Sequence, residues 1–168
     1  MSDSPGNLGL VNKLTVSDSL TNWKDQVQSF LASVAGEALQ DGWHATYSQT
    51  DVREEPVGIG ATLSYTVPVL ELSRIGPAGT EQRITLEPRH RFTIGATGRI
   101  DVYSHPALRD AMLLRRSLME NPEGLTWEEI ETEIGHGQWK AYSTERLPLN
   151  VDLTDGASIR QFLADLVS

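Results

Sequence analysis

The spacing of apolar residues changes several times along this chain, and each change marks an expected element. Leu20, Trp23, Val27, Phe30, Leu31, Val34 and Ala38 recur at steps of three and four, the pattern that lines one stripe of an α-helix. Ser19 is placed to cap that helix and Gly42 to stop it. Residues 1–17 are rich in Ser, Asp, Gly and Asn without a period, so a flexible tail is expected there, ahead of one domain over 18–168.

After Gly42 the period becomes two. WHATYSQTDVREE predicts an extended segment whose polar content suits a sheet edge. In ATLSYTVPVLELSR the apolar residues Ala61, Leu63, Tyr65 and Val67 are odd-numbered whereas Leu70 and Leu72 are even. A β-bulge at Val67 to Val69, beside Pro68, accounts for that slip. IGPAGT then predicts a turn into QRITLEP, and RFTIGATGRIDVY a second hairpin through Gly95 and Gly98. Placing Phe92 opposite Ile100 sets Arg91 opposite Asp101 as an ion pair.

HPALRDAMLLRR is expected to form one helical turn and then a strand, paired with QWKAYS, whose Trp139, Ala141 and Ser143 share a face. Between the two lies an excursion. Thr126 with Glu129 makes a capping box, with Leu125 and Ile130 as its staple, so a short helix is expected over Trp127 to Ile134. A final helix carries Ile159, Phe162, Leu163 and Leu166 behind a cap at Thr154 or Asp155. Together these elements predict an α+β protein. Its antiparallel sheet has about five strands, with the amino- and carboxy-terminal helices on one face and the acidic helix inserted peripherally.

Composition narrows the classes of function. The 168 residues include no cysteine, which removes disulfides, thiolate metal sites and a cysteine nucleophile. The first residues lack the basic start and apolar stretch of a secretion signal, and no apolar run approaches the ~20 residues of a membrane span. A cytoplasmic protein without a membrane role is the expectation. Net charge is −9, unevenly spread: Arg83 to Arg116 carries +4, leaving −13 elsewhere. That acidic balance argues against nucleic acid as a partner.

The candidate chemistry is sparse, and no cofactor is implied. The four histidines, His44, His90, His105 and His136, include no pair at the i, i+4 spacing that places two ligands on one metal, and no metal site is assigned. Gly58 and Gly60 lack the helix that a phosphate loop needs. Glu71, Glu87 and Asp101 fall on consecutive expected strands, from which acids can converge on a divalent cation. The phrase GRID resembles the first metal-binding acid of restriction-type nucleases. That family also places Glu-x-Lys or Gln-x-Lys on the next strand, where this chain reads AMLLRR.

Arg89 and Arg99, without an assigned partner, are candidate anion-binding residues for a small ligand. The excursion holds Glu120, Glu123, Glu128, Glu129, Glu131 and Glu133 with no Lys or Arg between Ser117 and Trp139. Glu123, Trp127, Glu128 and Glu131 are therefore candidate partner-binding residues, with Trp127 as an aromatic anchor. The leading expectation is a non-catalytic interaction factor, such as an inhibitor, immunity-type protein or accessory subunit, that engages a basic protein surface. A metal-dependent phosphoryl-cleaving enzyme and an anionic-ligand sensor are the alternatives.

Overall fold

The computed structural model describes residues 5–55, 62–90, 98–116, 138–143 and 151–168. Helix α1, Pro5–Gln40, buries the expected stripe: Trp23, Val27, Phe30, Leu31, Val34 and Ala38 all face the core. Its backbone is helical through residues 5–17, where a tail was expected, and Ser19 lies inside it instead of capping it. Extending a helix already anchored downstream adds one hydrogen bond per residue fixed, so weak local propensity is enough. The stop is as expected. Gly42 takes φ +82°, and the Trp43 and Gly42 N–H groups donate to the Ala38 and Leu39 carbonyls at 3.2 and 3.3 Å. This Schellman closure brings buried Trp43 against buried Ala38.

Among the described residues seven strands follow: β1 (His44–Glu54), β2 (Leu63–Ile75), β3 (Glu81–His90), β4 (Arg99–His105), β5 (Asp110–Arg116), β6 (Gln138–Ser143) and β7 (Val151–Asp152). Helix α2, Gly156–Val167, comes last. The strands form one antiparallel sheet in chain order, β1 to β7, with β1 at one edge as its polar sequence implied. The α+β class stands, and the sheet is larger than the expected five strands. β7 has two residues, too few for alternation to reveal.

Pairing sorts the strand residues into two faces. Leu70, Leu86, Val102 and Ala111 form one row across the sheet; Pro88, Ile100, Leu113 and Ala141 form the next. All eight are buried, and all but Pro88 belong, with the α1 stripe and Ile159, Phe162, Leu163 and Leu166 of α2, to one continuous core. Each fully buried Val, Leu, Ile or Phe side chain among them contributes about 1.5–3 kcal/mol of hydrophobic stabilisation.

Three local expectations are corrected. The β1–β2 register runs without a shift from His44↔Ser73 to Glu54↔Leu63, so no bulge occurs at Val67 to Val69. The buried parity still slips there, because β2 pairs with β3 only from Leu70 onward. Two-stranded ribbons twist more strongly than wider sheets, which is the physical reason Tyr65, Val67 and Val52 are buried at this end.

The β3–β4 pairing sets Ile100 opposite Pro88 and Asp101 opposite Glu87, not Phe92 and Arg91. Arg91 and Phe92 lie outside the described residues. Register follows the length of the connection, which alternation leaves open, and a one-residue irregularity sits between Pro88 and His90. In HPALRD a tight turn, closed by the Ser104 N–H donating to the Arg109 carbonyl at 2.9 Å, replaces the expected helical turn. The His105–Pro106 peptide in that turn is cis.

Helix α2 is tied at both ends. Asp155 caps it in a reciprocal box with Ser158, whose N–H donates to Asp155 Oδ1 at 2.7 Å. At the other end the buried Ser104 hydroxyl donates to the Leu166 carbonyl at 2.7 Å, and Arg109 Nη1 donates to the Asp165 carbonyl at 2.8 Å. These bonds satisfy carbonyls that a helix end leaves open.

Candidate functional site

The face of the sheet opposite the core carries the charged residues singled out from the sequence. Glu71, Thr85, Tyr103 and Asp110 form one row across β2 to β5; Glu87, Asp101, Met112 and Tyr142 form the next across β3 to β6. Thus Glu71, Glu87 and Asp101 do share a face. Glu87 and Asp101 stand directly opposite one another, and Glu71 lies one row away.

Like charges directly opposed across a sheet repel. Here two arginines and a phenol relieve that repulsion. Arg89 reaches Glu87 at 3.2 Å and Asp101 at 3.6 Å, and Arg99 Nε donates to Asp101 Oδ1 at 2.7 Å. The Tyr103 hydroxyl donates to Glu87. Partial burial, followed by that hydrogen bond, pushes the Tyr103 phenol well above its ordinary range. The Glu87 and Asp101 side chains are 23% and 22% exposed, so the network is half-desolvated.

This arrangement bears on two of the chemical readings. Arg89 and Arg99, the candidate anion-binding pair, converge on an internal carboxylate, with which any bound anion would compete. Glu71 is drawn to Arg83 at 3.8 Å, and Arg83 also bonds Glu81 at 3.0 Å. Among the described residues no group of three or more His, Asp or Glu side chains is placed to hold a metal ion, so these acids do not form a cation cage.

A second cluster escaped the sequence reading. Glu54 is buried at the end of β1, accepts a hydrogen bond from the Tyr65 hydroxyl, and lies 3.7 Å from His90 Nδ1. Lys24 of α1 stands 5.8 Å from the centre of the Tyr65 ring. Only the pairing of Val52 with Tyr65 identifies the neighbourhood, because Glu54 follows two residues on along the same face.

A groove of about 520 Å³ separates α1 from the start of α2, lined by Phe30, Glu37, Leu153, Asp155 and Ile159 among others. Glu37 is ion-paired with Arg160 at 3.3 Å. The expected inserted helix and the partner-binding candidates Glu123, Trp127, Glu128 and Glu131 lie outside the described residues. Among the described residues no helix is long and apolar enough to cross a membrane. Comparison with known protein families, with characterised proteins and with solved structures yields no match for this chain.

Proposed function

We propose that the protein is a non-catalytic interaction factor that uses its surplus negative charge to hold a partner with a basic surface. The observation that supports this reading is how seven of the chain's fourteen Lys and Arg side chains are committed. Arg83, Arg89, Arg99, Lys140 and Arg160 each meet a carboxylate. Arg74 lies over the Trp43 ring at 4.3 Å, and Arg109 caps α2. With these cations engaged internally, the net −9 is left to act outward. The glutamates between Ser117 and Trp139, with Trp127 as anchor, are the best-stocked source of that charge.

The test is isolation of a complex from native lysate at low ionic strength, with the wild-type chain and with E123Q/E128Q/E131Q. A complex with a different, basic chain that dissociates as salt rises and is weakened by the triple variant supports the proposal. Recovery of no other chain at low ionic strength, or a complex indifferent to the triple variant, sinks it.

A further inference from the structure

Native sheets protect their free edges with charges, prolines, bulges or brevity, because an open row of N–H and C=O groups templates another strand. The two edges of this sheet differ in that respect. β7 is two residues long and offers no template. β1 is eleven residues long, pairs only with β2 among the described residues, and keeps an unbroken register. From His44 to Thr50 it contains no proline, carboxylate, lysine or arginine. His44 and residues 46–49 are exposed, Tyr47 at 53%.

We infer that β1 is a self-association edge, on which a second copy of this chain adds its own β1 in antiparallel fashion about Tyr47. The charges brought into contact fit a second copy and select the register. Two bodies of −9 repel at a distance, but beyond a Debye length of about 8 Å salt screens that repulsion, and the groups in contact decide. Pairing centred on Tyr47 opposes His44 with Thr50, Ala45 with Gln49 and Thr46 with Ser48, so no carboxylate meets another. Sliding the centre to Asp51 would oppose two aspartates. The chosen register also carries the exposed Arg53 of each copy toward the partner's exposed Asp41, at the point where α1 gives way to β1. Tyr47 pairs with Leu70 on the helix-bearing face, so the two Tyr47 rings would meet there as a cross-strand aromatic pair. A pairing centred on one residue keeps the helices of both copies on the same side of a continuous sheet.

The absence of cysteine makes the test direct. Opposed residues of an antiparallel pair stand about 4.5–5.5 Å apart at Cα, within the span of a disulfide. Y47C should therefore oxidise to a covalent dimer, while I75C and L108C, at exposed positions elsewhere, should not. Sedimentation of the wild-type chain should show a concentration-dependent dimer. T46K/S48K, which sets lysine opposite lysine twice, should raise its dissociation constant about tenfold or more. Three results would overturn the inference: a wild-type monomer at every concentration, cross-linking of Y47C no faster than the controls, or a T46K/S48K dimer of undiminished strength.

Discussion

Gly98, just before β4, is where a single methyl group should do most damage. A Cβ at Gly98 would stand 2.2 Å from Cζ3 and 2.6 Å from Cη2 of Trp23. Carbon contacts are favourable near ~3.5–4.0 Å, so the indole would have to retreat by more than about 1 Å. It has little room to do so. Trp23 is fully buried and tilted against Trp139 at 5.9 Å between centroids, and Trp139 stacks on Phe30 at 4.7 Å. Overfilling a packed core costs about 1–3 kcal/mol, and a rigid aromatic neighbour puts G98A at the upper end.

A loss of about 3 kcal/mol lowers the folding equilibrium constant roughly 100-fold. Urea unfolding followed by circular dichroism and by tryptophan fluorescence measures it, and coincident curves establish that the transition is two-state. The control is W23L, which removes the ring that the methyl group strikes. In that background G98A should cost about 2 kcal/mol less than in the wild type, the remainder being the strain that φ +158° at position 98 imposes on any side chain. If G98A stays within about 0.5 kcal/mol of wild type, or costs the same with and without Trp23, the close approach is not what requires glycine.

Two further outcomes follow from the tied ends of α2 and from the outer face. S104A leaves the Leu166 carbonyl without its buried donor and should cost about 1–3 kcal/mol, with faster amide exchange in the last turn of α2 than in its first. Tyr103 is held protonated in the folded protein above the ~10 of an unfolded phenol, so it stabilises fully below pH ~10 and loses that contribution as pH rises through its higher folded value. Y103F should therefore flatten the alkaline fall in stability, and an equally steep fall in variant and wild type would refute the assignment.

Much of the fold is legible in the sequence where one period runs undisturbed. The stripe from Trp23 to Ala38, the alternation of Trp139, Ala141 and Ser143, and the stripe of α2 all became core as read. What the sequence hides is register. The register that would set Arg91 opposite Asp101 gave way to Glu87 opposite Asp101, with an irregularity at Arg89 that alternation does not announce.

The outer-face network nevertheless left a local trace. Glu81 with Arg83, Glu87 with Arg89, and Arg99 with Asp101 are all two apart, and in a strand residues two apart stand on one face. Read that way, Arg89 and Arg99 have partners on their own strands. Glu54 left no such trace, since its Tyr65 and His90 contacts come from other strands.

The order in which the sheet is built has a bearing on synthesis. Each strand pairs with its neighbour in sequence, so hairpins can form one after another as the chain leaves the ribosome. The core, in contrast, is closed by contacts that span the molecule: α1 touches α2, and Ser104 of β4 waits for Leu166. Until α2 has emerged, the apolar rows through Leu86, Val102 and Leu113 lack part of their cover. Nascent chains are thus exposed to aggregation until α2 has been made, and a stop codon before Ile159 would produce a nearly complete sheet that cannot hide its apolar face.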